Sequence, residues 1–234
     1  MKKKIGIIGG MGPMATVQLF RQIVDNTDSH NDQGHIRILI DNNPQIPDRT
    51  AAILSGGKSP VSGIRDSARG LISLGADLLL IPCNSAHYFF EDIQKDLGTE
   101  VINMIDETAQ VIQESGFSRA GLLATTGTMR GRIYHRYFEQ RGLEVITPTE
   151  AEQEKVMEFI YRGVKANDYN YDPSSFMAVA GHLMERGAET LILGCTELPV
   201  GIRMYGLQLK HVDALEVLAK TAIVRAGYSL RREL

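Results

Sequence analysis

The chain has 234 residues, with 25 Lys and Arg against 28 Asp and Glu, so its formal charge is −3. That near-balance leaves no basic footprint for nucleic acid or an acidic membrane surface, and an apolar fraction of 43% is too high for a disordered chain. Two cysteines cannot frame a secreted disulfide scaffold, no window reaches the ~18 apolar residues of a membrane span, and the opening MKKKIGIIGG meets glycine before a signal-length apolar stretch develops. The expectation is a soluble protein of a reducing compartment, the cytoplasm.

In chain order, Lys4–Ile8 is a short apolar run ended by Gly9, Gly10 and Gly12, which predicts a buried strand and a tight turn. Between Ala15 and Val24, residues Leu19, Phe20, Ile23 and Val24 share one helical face. A second strand, Ile36–Ile40, stops at the loop signal Asp41-Asn42-Asn43-Pro44. Ile64, Ala68, Leu71 and Ile72 mark another amphipathic helix, and Asp77–Ile81 a third strand. A helix follows around Ile105–Ile112, then strands at Ala120–Ala124 and Thr190–Leu193. Alternation of short apolar runs with helical periods predicts parallel βαβ units.

The second half repeats the first. A shift of 112 residues, from 75 to 187, lays Gly75-Ala76-Asp77 on Gly187-Ala188-Glu189 and Leu79-Leu80-Ile81 on Leu191-Ile192-Leu193. It also lays Cys83 on Cys195, so both cysteines of the chain are one position written twice, just past a strand's carboxyl end. The expected fold is α/β: two pseudo-symmetric three-layer α/β/α domains with central, mostly parallel sheets. The first comprises residues 1–105 plus 210–234, because the helix around Leu215–Val224 has no vacancy in the second. The second comprises residues 106–209. Sites in open parallel sheets form outside the carboxyl ends of the strands, which predicts an active site in a cleft between the domains, with one cysteine from each.

After Cys83 the pattern is helical to Leu97, with Asn84 or Ser85 as cap. Backbone N–H groups at such a helix start suit a carboxylate and favour thiolate over thiol. Cys195-Thr196-Glu197 repeats the arrangement. A single buried cysteine is ordinarily inert packing; two at equivalent strand ends beside capping residues suggest chemistry. Inverting a stereocentre needs two such groups, one removing a proton from one face of a carbon and the other delivering a proton to the opposite face. Arg49 sits in a Pro-rich loop after a strand, where a guanidinium fork would match a carboxylate. Lys165 ends a helix whose apolar stripe is Val156, Phe159, Ile160 and Val164, a place the helix dipole alone explains. Thr125, Thr126 and Thr128 follow a strand and would either hold an α-carboxylate or serve as ordinary turn chemistry.

Two other classes compete. Gly10-Met11-Gly12-Pro13-Met14-Ala15 fits the dinucleotide pattern G-x-G-x-x-A, but Asp41, the acidic residue at the next strand's end, lies 31 residues beyond Gly10 rather than ~20, and a proline occupies the turn. Cys83 and His87, four apart, would join Cys195 in a metal site, yet structural zinc wants four ligands in paired spacings. His87 fits better as a polar group near the helix start.

The segments Gly9-Gly-Met-Gly-Pro13, Asn42-Asn-Pro-Gln-Ile-Pro-Asp-Arg-Thr50, Pro82-Cys-Asn-Ser-Ala-His87, Gly121-Leu-Leu-Ala-Thr-Thr-Gly-Thr128, Pro148-Thr-Glu150 and Gly194-Cys-Thr-Glu197 resemble those of the aspartate/glutamate racemase family, its aspartate racemases most of all. They span nearly the whole chain. The resemblance implies a two-domain, pseudo-symmetric, usually dimeric enzyme that racemises an acidic amino acid without pyridoxal phosphate or any other cofactor or metal. It implies Cys83 and Cys195 as the acid–base pair, and Arg49 and Lys165 as partners of the substrate's side-chain carboxylate. Met11, Gln45, Asn84, Ser85, Thr126, Thr128 and Thr196 are the remaining motif positions implied to line the substrate. Ser85 stands where the family motif carries threonine; the hydroxyl is kept. Alternatives within the resemblance are a broader acidic-amino-acid or glutamate racemase, and a decarboxylase or isomerase of dicarboxylic acids.

Overall fold

The computed structural model describes residues 2–231, which fall into two compact units, residues 2–107 with 215–231 and residues 108–214. In the first unit, β1 (Ile5–Gly9) leads through α1 (Pro13–Asn26) to β2 (Ile38–Asn42). There follow α2 (Arg49–Leu54), α3 (Val61–Ser73), β3 (Leu78–Leu80), a 3-10 turn over Ser85–Phe89, α4 (Phe90–Gln94) and β4 (Glu100–Val101). The strands form one parallel sheet in the order β2-β1-β3-β4. α5 (Met104–Glu114) runs across the division between the units.

The second unit contains β5 (Arg119–Ala124), α6 (Thr126–Arg130), α7 (Ile133–Gln140), β6 (Glu144–Ile146) and α8 (Glu150–Glu158). A π-helical segment, Phe159–Lys165, continues α8 and is followed by α9 (Ser174–Glu185), β7 (Thr190–Gly194), α10 (Glu197–Met204) and β8 (His211–Asp213). Its sheet is again parallel, in the order β6-β5-β7-β8. The last helix, α11 (Ala214–Arg225), belongs to the first unit except for its first residue. There the Arg225 guanidinium meets the carboxylates of Glu100 and Glu107, and Lys3 N–H bonds the Ala226 carbonyl at 3.0 Å.

The central strands β1, β3 and β7 are buried along their whole length, and β5 is buried from Ala120 on, because helices cover both faces of a parallel sheet. Each unit has its own core. Ile8, Ile64, Leu71, Leu79 and Ile93 are among the residues packed in the first, and Val156, Phe159, Phe176, Leu183 and Leu191 in the second.

The duplication is written into this packing. A Cβ on Gly6 would lie 2.8 Å from Leu79 Cδ2, 3.0 Å from Ala76 Cβ and 3.2 Å from Leu71 Cβ. A Cβ on Gly121 would lie 2.8 Å from Leu191 Cδ2, 3.1 Å from Leu183 Cβ and 3.2 Å from Ala188 Cβ. Leu71, Ala76 and Leu79 map on Leu183, Ala188 and Leu191 under the 112-residue shift. Each glycine thus admits a helix against its strand at equivalent points. The helix then ends at Gly75 (φ +89°) or Gly187 (φ +96°) in the left-handed region, which glycine adopts without steric cost. Next, Asp77 takes the Lys4 N–H at 2.8 Å, and Glu189 takes the Ser118 and Arg119 N–H groups at 2.7 and 2.9 Å. These carboxylates clamp the start of one strand to the turn before its neighbour.

Gly6→Ala and Gly121→Ala are each expected to destabilise the protein by about 1–3 kcal/mol, the usual cost of overpacking a filled core. The measurement is the urea unfolding midpoint, and an unshifted midpoint for either variant would mean that helix and strand separate freely there.

Candidate active site

Cys83 lies three residues beyond β3 and is buried. Its N–H bonds the Ile81 carbonyl at 2.8 Å, and its Sγ lies 3.5 Å from Ser85 Oγ. The expected helix start is different in detail. Residues 85–89 form a 3-10 turn before the short α4, Asn84 is itself helical, and its side chain makes no cap. Ser85 is the first residue of that turn, and its hydroxyl is the polar group beside the thiol. Asn84 is buried beside them.

Cys195 sits just past β7, also buried, and directly before α10. Its Sγ donates to Glu197 Oε2 at 2.9 Å, and Thr196 Oγ1 donates to the same oxygen at 3.2 Å. Lys165 Nζ lies 3.6 Å from Glu197 Oε1 and 4.5 Å from the centre of the Tyr161 ring. The expected preference for thiolate fails here. Burial, and after it the Glu197 carboxylate, pushes the Cys195 thiol well above its ordinary range; Lys165 and the Glu197 N–H oppose this less strongly. An anionic neighbour accepting the S–H outweighs the field of a helix start. Burial works against the Lys165 charge, yet the Glu197 carboxylate prevails and raises its pKa.

Arg49 opens α2. One terminal nitrogen reaches the Met11 carbonyl at 3.0 Å, while the other bonds the carbonyls of Pro47 and Ile46 at 3.2 and 3.4 Å. Its Nε is buried without a hydrogen-bond partner. Arg49 therefore draws together the loops after β1 and β2. Met11 is buried, whereas Gln45 is exposed and its N–H bonds the Asn43 side chain. The glycines beside Met11 serve the chain more than a ligand: a Cβ at Gly9 would strike Thr16, one at Gly10 (φ +93°) the Asn43 backbone, and only Gly12 faces open space.

The equivalent loops of the second unit are joined by an amide. Gln153, on α8, donates to the Ala124 carbonyl at 2.9 Å, much as Arg49 donates to Met11. Thr126 N–H meets Met157 Sδ at 3.3 Å, and its hydroxyl lies 3.5 Å from Gln153 Nε2. Thr128 is turned inward, its Oγ1 3.3 Å from that of Thr125. The helix expected to end at Lys165 is two segments, since α8 passes into the π-helical stretch at Phe159. A cavity of about 540 Å³ opens between the ends of β5 and β6, with Thr126, Arg130, His135, Thr147 and Glu150 on its wall.

Pro13 opens α1 directly after Gly12, and Asp41 stands in β2 paired with Ile8 of β1; among the described residues no three His, Cys, Asp or Glu side chains group to hold a metal. No described helix is long and apolar enough to cross a membrane.

A model of the Asp/Glu/hydantoin racemase family matches residues 8–222. The chain belongs to that family. Its structure superposes on an aspartate racemase of Picrophilus torridus with a TM-score of 0.84 at 35% identity, covering 97% of this chain and 96% of that one. A glutamate racemase of Francisella tularensis, solved with D-glutamate, shares the fold at a TM-score of 0.64 and 17% identity, with 96% and 81% covered. A broad specificity amino-acid racemase of Bacillus subtilis is 24% identical over 225 residues, 94% of this chain and 96% of that protein. The chain is accordingly a racemase, an isomerase.

Glu197→Gln removes the charge that helps keep the Cys195 proton on sulfur. The thiol pKa should fall, so iodoacetamide should alkylate Cys195 several-fold faster near pH 8. Peptide-level mass spectrometry checks this, and an unchanged or slower rate would show that burial alone governs the thiol.

Proposed function

We propose that this enzyme interconverts L- and D-aspartate with Cys83 and Cys195 as its two bases, working as a homodimer in the cytoplasm. The observation that carries the proposal is the equivalence of the two cysteines: each follows the corresponding strand of a duplicated unit, and each has a hydroxyl residue at hand, Ser85 or Thr196. Both thiols are free, as proton transfer requires. The 35% identity to an aspartate racemase over nearly the whole chain supports the choice of substrate.

In the proposed reaction one thiolate takes the α-proton of bound aspartate; the C–H bond breaks and an S–H bond forms. The carbanion then receives a proton from the other thiol on the opposite face. Each transfer by a positioned group contributes typically ~10²–10⁴-fold. Cys195 begins as the proton donor, its S–H held by Glu197. One turnover leaves Cys83 as the thiol and Cys195 as the thiolate, the state from which the reverse reaction starts, with Cys195 taking the α-proton and Cys83 returning one. Arg49 is assigned to the substrate's side-chain carboxylate, supported by its unpartnered Nε–H and by the fit of a guanidinium to a carboxylate. Lys165 is assigned to the same carboxylate, shared with Glu197. Met11, Gln45, Asn84, Thr126 and Thr128 are assigned to the amino-acid end.

L-aspartate incubated in D₂O without added cofactor should yield D-aspartate deuterated at the α-carbon. Cys83→Ala and Cys195→Ala should each abolish inversion, and near-normal racemisation by either variant would falsify the two-base reading. Arg49→Ala should raise KM for aspartate by about tenfold or more, as loss of a charge-assisted bond demands; an unchanged KM removes that assignment. Met14, Val17, Phe20 and Ile40 form exposed apolar surface on α1 and the edge strand β2, and they are the proposed dimer contact. Sedimentation should give a dimer that Phe20→Asp disrupts, and a monomeric wild type would refute it.

A further inference from the structure

His87 is 3% exposed and has both ring nitrogens engaged. Nδ1 lies 2.9 Å from the Cys83 carbonyl oxygen, and Nε2 lies 3.2 Å from the Met104 backbone nitrogen. A carbonyl can only accept and an amide N–H can only donate. The two contacts therefore fix a single neutral tautomer, with hydrogen on Nδ1 and a lone pair on Nε2. Burial depresses the imidazole pKa to about 4 against the pull of the Cys83 and Ile102 carbonyls, so the ring stays neutral through the physiological range.

The groups it joins matter. Met104 opens α5, and the first N–H groups of a helix have no partner within it. The Asn103 side chain takes those of Ile105 and Asp106 at 3.1 and 3.2 Å, and His87 takes that of Met104. At its other end the imidazole holds the Cys83 carbonyl, while the Cys83 N–H is already tied to Ile81 at 2.8 Å. Both backbone groups of Cys83 are thus anchored, and with them the direction of its Cα–Cβ bond.

We propose that His87 is a positioning residue for Cys83, a neutral strut between the cysteine's backbone and the first turn of α5 that aims the thiol. The inference rests on the reading of Cys83 as one of the two bases. It is separable from that reading, because thiol reactivity can be measured without turnover.

Two half-replacements test it. His87→Asn keeps an N–H donor near the place of Nδ1 and loses the acceptor for Met104. His87→Gln carries its carbonyl oxygen towards the place of Nε2 and loses the donor to Cys83. In full-length protein shown to be folded by circular dichroism, His87→Gln should lower kcat by about tenfold to a hundredfold, as small misplacements of a reacting group do, with KM nearly unchanged. Its Cys83 should be alkylated several-fold faster by iodoacetamide as the loop loosens, and His87→Asn should restore both quantities towards wild type. If His87→Asn proved the more damaged in kcat and alkylation, or if both variants lost kcat in proportion to their unfolding midpoints, His87 would be only a helix cap and the proposal would fall. Unchanged kcat and alkylation in both variants would also overturn it. If the wild type failed to racemise aspartate at all, the racemase reading would fail on its own, and the order of Cys83 alkylation rates would still decide the role of His87.

Discussion

A helix in each unit approaches a central parallel strand so closely that one strand residue must give up its side chain. In each unit that residue is a glycine on the first strand, Gly6 or Gly121, set against a leucine of the adjacent strand and an alanine of the turn before it. The spacing so fixed determines where the preceding helix must end and where the carboxylate of Asp77 or Glu189 can catch the neighbouring strand's first N–H groups. It thereby sets the strand's register, and with it the height at which the cysteine emerges at the far end. The positions of Cys83 and Cys195 are thus tied to packing at the opposite end of the central strands.

Once delivered to equivalent places, the two thiols meet different electrostatics. Cys83 has a hydroxyl within reach of its sulfur, while Cys195 has a carboxylate. A hydroxyl can donate to a thiolate or accept from a thiol, whereas a carboxylate can only accept, so Glu197 favours the protonated sulfur. Lys165 tempers this without removing it. Its side chain is 41% exposed, and a partly exposed ion pair is worth only about 0–1 kcal/mol.

The sequence was most legible where one residue type has one physical use. Alternating apolar runs and left-handed glycines outlined the strands and turns, and a shift of 112 residues exposed the duplication through Gly75, Ala76, Leu79 and Cys83 together. Strand ends moved by a residue or two, as for β2, expected at 36–40 and found at Ile38–Asn42, because pairing with β1 and not local hydrophobicity sets the boundary. Less was legible where side chains choose among several partners. The helical period after Cys83 could not distinguish a 3-10 turn from an α-helical start. Glu197 was visible beside Cys195 in the sequence, but only the structure shows that burial, with that carboxylate receiving the S–H, reverses the expected preference for thiolate. The glycines around Met11 invited a ligand, yet the chain itself fills the space at Gly9 and Gly10.

Duplication preserves what the backbone needs and releases what the side chains do. Glycine, alanine and leucine recur at the packing points because any larger residue would part helix from strand. The polar partners have diverged: Arg49 joins two loops in one unit where Gln153 does so in the other, and Ser85 faces one thiol where Glu197 faces the second. A racemase has reason to tolerate such divergence. In the proposed reaction the two proton transfers mirror each other at the carbon, but the rest of an amino acid has no mirror plane, so its polar groups would meet different partners on its two sides. Equal backbones carrying unequal polar groups suit that reaction.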